Sequence, residues 1–211
     1  MTPMTDRATR KPPAVPAAVP AATDDLVVLL DDAGQPSGTA PRATVHTADT
    51  PLHLAFSCYL FDPAGRLLLT RRAVTKRTWP GVWTNSFCGH PRPGEDTVAA
   101  LHRYAAHELG VTVTGVTCLL PRFRYRAVDP GGIVENEICP VYAAHTGEQP
   151  RPHADEVAET RWVELDELRV LVGLAPWALS PWLVEQVGEV EASTDGWAPA
   201  RVTRAARGGD R

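Results

Sequence analysis

Short apolar runs alternate with turn-forming residues along most of the chain. Leu26 to Leu30 is apolar throughout and is stopped by Asp31-Asp32-Ala33-Gly34, which predicts a first strand and a turn. Leu54 to Phe61 is an apolar and aromatic run, Asp62-Pro63-Ala64-Gly65 has turn chemistry, and Leu67 to Thr70 resumes the apolar pattern, so a hairpin is expected there. The period then changes. Val98, Leu101, Ala105 and Leu109 approximate one helical stripe with Gly110 just past its end, which predicts a helix over 96–109. Further strands are expected at 111–119, 122–127, 133–144 and 160–163, and shorter helices at 165–172 and 182–190.

Strands before and after one central helix, with a terminal helix behind them, imply an α/β or α+β fold: a mixed β-sheet sandwiched between helices, in a single domain. The domain is expected to span about 25–190. Residues 1–24 are rich in Pro, Ala and Thr and read as a disordered extension, and 191–211 read as a flexible tail.

With 211 residues, 44% hydrophobic and 22% charged, and a formal net charge of −4, the chain can bury one core. The same figures exclude a collagen-like chain or a nucleic-acid binder acting through bulk charge. Cys58, Cys88, Cys118 and Cys139 are widely spaced with no CxxC pair, which argues against a disulfide framework. Free thiols, no secretory leader and no membrane-length apolar run point to a cytoplasmic protein with neither membrane nor nucleic-acid partners. No heptad surface stands out, so a monomer is expected.

Two segments carry chemistry. In Thr84-Asn85-Ser86-Phe87-Cys88-Gly89-His90 a thiol lies two residues from an imidazole. In Ile133-Val134-Glu135-Asn136-Glu137-Ile138-Cys139 apolar residues flank two carboxylates two positions apart, and on a strand such positions share a face. Two like charges aimed into one space are costly unless a cation lies between them or one keeps its proton; a metal is the simpler reading. His46, His53 and His90 with Glu135 and Glu137 form a candidate shell of three imidazoles and two carboxylates, suited to zinc, manganese or iron(II). Spacing alone leaves their convergence open. Arg71, Arg72, Lys76 and Arg77 form a cationic run that could hold an anion such as diphosphate.

These segments, together with His46 to Ser57, Phe123-Arg124-Tyr125-Arg126-Ala127-Val128-Asp129-Pro130 and Pro176-Trp177-Ala178-Leu179-Ser180-Pro181-Trp182, resemble the type 1 isopentenyl-diphosphate Delta-isomerases. The resemblance implies a Nudix-type fold and interconversion of isopentenyl and dimethylallyl diphosphate, both C5 prenyl diphosphates. It implies that His46, His53, His90, Glu135 and Glu137 bind one divalent metal (Mn2+, Zn2+ or Mg2+), and that Glu108 holds a Mg2+ that also meets the diphosphate. Cys88 and Glu137 would act on opposite faces of the carbon skeleton. Trp182 would supply an aromatic wall, Tyr125 a hydrogen bond near the proton donor, and Arg42, Arg72 and Lys76 contacts to the diphosphate. Ser86 is expected to add a contact through its hydroxyl or backbone amide.

Elementary chemistry agrees with that implication. Moving an unactivated double bond requires adding a proton at one carbon and removing one at another through a tertiary carbocation-like state, so two acid/base groups on separate elements are needed. Cys88 is expected in a loop and Glu137 on a strand. A Nudix box can be laid over Gly89, Glu95, Arg103 and Glu108, but Tyr104 and His107 stand where hydrolases of that superfamily usually carry acids. Positions 104 and 108 share a helix face, so the usual multi-metal carboxylate cluster is dismantled. A diphosphate hydrolase and a binding module with a structural metal are the competing readings.

Overall fold

The computed structural model describes residues 25–200; the extension expected at 1–24 and the tail residues 201–211 lie outside them. The mixed α+β architecture is as expected, but its strands are shared between two sheets. In the first, β1 (Leu26–Leu30) lies between the edge strand β2 (Pro36–Pro41) and the short β3 (His53–Leu54), followed by β10 (Val134–Ile138) and β9 (Arg124–Val128). In the second, β12 (Val157–Val163), β5 (Leu67–Arg72), β4 (Phe56–Phe61), β11 (Val141–His145) and β8 (Thr114–Leu120) run in that order. Two short strands, β6 (Trp83–Thr84) and β7 (Phe87–Gly89), pair with β5 and β4. The β3/β10 and β4/β11 pairs are parallel.

β4 is buried at all six positions because it is covered on both faces, which is why it reads as a continuous apolar run and not an alternating one. Phe56, Cys58 and Leu60 pack on one side against Leu101, Ala105 and Leu109. These belong to a helix comprising α2 (Thr97–Tyr104) and a π-helical continuation, Ala105–Leu109. Tyr59 and Phe61 face the other way, against Trp182, Leu183 and Val187 of α4 (Pro181–Ala192). Each fully buried leucine in these layers contributes on the order of 2 kcal/mol. Asp96 caps α2 by accepting from the Val98 and Ala99 amides, and Gly110 ends the helix in the left-handed region at φ 62°, as the sequence predicts.

Other expectations are corrected. The run 133–144 is two strands in different sheets, broken at Cys139-Pro140, where proline supplies no ladder donor. β2 was not expected, since its PSGTAP sequence lacks apolar alternation; an edge position tolerates that composition. The segment after Ser193 is folded through Ala200 and not loose as expected. Trp197 is only 3% exposed, meets Tyr59 edge to face at 5.1 Å, and gives its indole N–H to Glu191. No described helix is long and apolar enough to cross a membrane. A further helix, α3 (Leu165–Leu174), closes its N-terminus with a Glu164/Glu167 capping box.

Candidate active site and metal centre

The two sheets bring the histidines together. His46 ends the short helix α1 (Arg42–Val45), His53 opens β3 and His90 follows β7, and their ring centroids lie 5.1–5.7 Å apart. Parallel pairing of β3 with β10 sets Glu137 in register with His53, and β9 sets Tyr125 opposite Glu137. The expected alternation on β10 holds: Glu135 and Glu137 are both buried towards the cluster, while Asn136 gives its amide to the Thr50 carbonyl. Ligand atoms of His46, His53, His90 and Glu137 all lie within 4.8 Å of one another. Glu135 stands at the margin of this set, 2.9 Å from His46 Nε2.

A divalent cation fits this donor set. Among the described residues, His46 Nε2, His53 Nε2 and Glu135 Oε2 are buried without a hydrogen-bond partner, although His46 and Glu135 nearly touch. Such close, misaligned contacts are what ligands aimed at a common centre produce. His53 Nδ1 lies 2.9 Å from the Pro51 carbonyl, and donation there would leave Nε2 as a free lone pair. Burial pushes Glu137 up, but the adjacent imidazoles of His53 and His90 outweigh it and hold the carboxyl well below the ordinary range. Tyr125 donates to its other oxygen at 2.9 Å.

Cys88 is on strand β7 and not in a loop, opposite Ser57 of β4. Burial pushes its thiol up to about 11, against the pull of hydrogen bonds from Ser57 and Asn85. Gly89 is required next to it by close packing: a Cβ there would stand 2.6 Å from the Tyr104 ring. Trp182 is buried and gives its indole N–H to Asn85 Oδ1 at 3.0 Å. The other tryptophan of that segment, Trp177, is exposed. Trp79 packs edge-on against Trp182 at 6.1 Å and holds a left-handed φ of 47°, a strain of about 1–3 kcal/mol for a non-glycine residue.

Cys88, Glu137, Tyr125 and Trp182 line one cavity of about 290 Å³ with Arg42, Arg72 and Lys76. The cations are already partnered: Arg42 with Asp25 at 2.6 Å, Arg72 with the Thr78 carbonyl and hydroxyl, and Lys76 with Glu156. The Arg72 guanidinium also lies 5.6 Å from the Trp182 ring. Glu108 faces the same cavity from the π-helical segment, and burial pushes its carboxyl up to about 7. Glu95, bonded to Arg103 at 2.6 Å, braces the start of α2, and Arg103 reaches the His90 carbonyl.

For Ser86, the contact expected through the hydroxyl is corrected. The residue is fully buried, donates to the Leu68 carbonyl and accepts from the Leu60 amide, so its hydroxyl bridges two strands and is not in the cavity. Sequence reasoning missed Glu156, Asn85, Ser57 and Gln186. Only Asn85, three residues before Cys88, carried a local signal.

Fold and site define a NUDIX-domain protein, and the model of that domain matches residues 51–183. The fold resembles DR0079 from Deinococcus radiodurans, at TM-score 0.61 and 18% identity, covering 78% of this chain and 98% of that one. Curated relatives are much closer in sequence. The isopentenyl-diphosphate Delta-isomerase of Agromyces mediolanus is 56% identical over 200 residues, covering 94% of this chain and 97% of the relative. That of Frankia alni is 60% identical over 164 residues, covering 78% and 84%. Within the NUDIX family, the chain therefore belongs to the isopentenyl-diphosphate Delta-isomerases.

Proposed function

We propose that Cys88 and Glu137 carry out the interconversion of isopentenyl and dimethylallyl diphosphate, the reaction that names the family. The supporting observation is that a thiol and a carboxylate from different sheets line one small cavity that also presents Arg42, Arg72 and Lys76. One group adds a proton to the terminal alkene carbon. The other removes a proton from the neighbouring methylene, so no atom is lost and the diphosphate stays intact. The half-buried thiol, pushed up to about 11, keeps its proton at neutral pH and is available to exchange it with carbon.

The tertiary cation formed between these steps needs a wall that is electron-rich but not nucleophilic, and the indole face of Trp182 suits it. Tyr125 holds the Glu137 carboxylate in one orientation. Arg42, Arg72 and Lys76 anchor the diphosphate, Lys76 by exchanging Glu156 for a phosphate oxygen. His46, His53, His90, Glu135 and Glu137 hold a divalent metal, of which Mn2+, Zn2+ and Mg2+ all suit nitrogen and oxygen donors. Bound there, the metal would offset the charge of the buried carboxylates and set how readily Glu137 takes a proton. Glu108, on the wall of the same cavity, would hold a Mg2+, which would supply positive charge for the diphosphate. The setting is the cytoplasm and the working unit is a monomer.

Incubating metal-loaded protein with isopentenyl diphosphate in deuterated water tests the assignment. Deuterium is expected in the dimethylallyl product with no release of phosphate or diphosphate. Hydrolysis products without isomer would replace this reading by a hydrolase.

A further inference from the structure

Behind Cys88 lies a set of buried polar groups that the reaction as described does not use. Tyr59, Ser57 and Gln186 are each 0% exposed, within or against a layer made mostly of aliphatic and aromatic side chains. Tyr59 donates to Gln186 Oε1 at 3.0 Å, Gln186 Nε2 donates to Ser57 Oγ at 2.9 Å, and Ser57 Oγ lies 3.3 Å from Cys88 Sγ. Ser57, having accepted from Gln186, has its own proton left to donate. The acceptors within its reach are two sulfurs, Cys88 and, at 3.4 Å, Cys139. If the Cys139 thiol donates to Ser57 Oγ, the serine proton goes to Cys88.

A second arm reaches the same sulfur. Cys88 Sγ lies 3.3 Å from Asn85 Oδ1, to which its thiol proton can be donated, and the sense of the amide is fixed by its neighbours. Oδ1 accepts from the Trp182 indole, which can only donate, and Nδ2 donates to the Cys58 and Phe87 carbonyls, which can only accept. Three apolar side chains in place of Tyr59, Ser57 and Gln186 would fill this layer without any desolvation cost. A polar chain retained there and ending on the reactive sulfur calls for a role at that sulfur.

We infer that Ser57 and Gln186 are positioning residues, which with Asn85 clamp the Cys88 sulfur from two sides and aim it into the cavity. The inference rests on the role given to Cys88 above. A sulfur free to turn to another rotamer would spend less time facing the substrate carbon, and a misplacement of about 1 Å can cost 10²-fold in rate.

The test removes the whole arm at once, as Tyr59→Phe, Ser57→Ala and Gln186→Met together, so that no buried N–H or O–H donor of the arm is left without its acceptor and only the weak Cys139 S–H loses one. The expected result is a melting temperature equal to or above that of the parent, an unchanged KM, and kcat lower by about tenfold to a hundredfold. Gln186→Met alone, which keeps the volume, should lower kcat severalfold and decides the matter if the triple variant does not fold. Wild-type kcat in the folded variant overturns the clamp, as does a loss confined to melting temperature. Cys88→Ala is assayed alongside: an inactive Cys88→Ala with a fully active triple variant rejects the clamp alone, whereas an active Cys88→Ala rejects the role of the thiol itself.

Discussion

On the imidazole and carboxylate wall of the cavity, His46 Nε2, His53 Nε2 and Glu135 Oε2 are buried without partners, whereas on the thiol wall Cys88, Asn85, Ser57, Gln186 and Trp182 satisfy one another. Both walls desolvate polar atoms, and such atoms are costly unless something answers them. The first wall would be answered from outside the chain, by the cation proposed above. The second is answered from within, so its geometry is set when the protein folds. The two should therefore respond differently to the same perturbation.

The largest contrast is expected in turnover. Cys88→Ala and Glu137→Gln should each lower kcat by about 10²–10⁴. Glu135→Gln should instead weaken metal binding by about 10–100-fold and regain rate as metal is added, which a titration of steady-state rate against metal will show. Equal and full metal occupancy in Glu135→Gln and Glu137→Gln would erase the distinction. Next in size is the response to chelation. Metal at a hundred times its dissociation constant adds about 2.7 kcal/mol of stability, so a chelator should lower the melting temperature of the parent and of Cys88→Ala alike, and leave that of His46→Ala nearly unmoved.

Gly89 joins the two walls, between Cys88 and His90. Gly89→Ala would drive a methyl into the Tyr104 ring, which Phe56 and Arg103 hold in place, and should cost about 1–3 kcal/mol in denaturant unfolding. The smallest effect concerns Glu108. Burial raises its carboxyl to about 7, so below that pH a cation must displace a proton. Apparent Mg2+ affinity should climb by up to about tenfold per pH unit below 7 and flatten above it. Calorimetry across pH should show no such slope in Glu108→Gln.

How much of this was legible follows the same division. His46, His53, His90, Glu135 and Glu137 could be named because the i, i+2 carboxylates break an apolar strand and because the motifs resemble a known family. On the thiol wall only Cys88 and Trp182 could be named, and Asn85 offered no more than its place three residues before Cys88. Gln186 falls on the apolar stripe of its helix, four residues after Trp182 and four before Val190, as a single polar position with no local partner, and Tyr59 and Ser57, which answer it, are 127 and 129 residues away in sequence. Glu156 likewise acquires meaning only through Lys76, across the β5/β12 edge of the sheet. In the fold, β1 and the end of the central helix were visible through apolar periodicity and Gly110. The division of 133–144 between two sheets depends on Pro140 and on strands that pair only after the chain has crossed the molecule.

The folded stretch after Ser193 bears on where a recombinant boundary should fall. The NUDIX match, 51–183, omits Arg42 and His46 on one side and Gln186 and Trp197 on the other. A clone trimmed to those limits would lack one imidazole of the candidate metal shell and would expose the ring of Tyr59 on which Trp197 rests. Affinity tags and protease sites are best placed beyond Ala200, which is itself only 1% exposed.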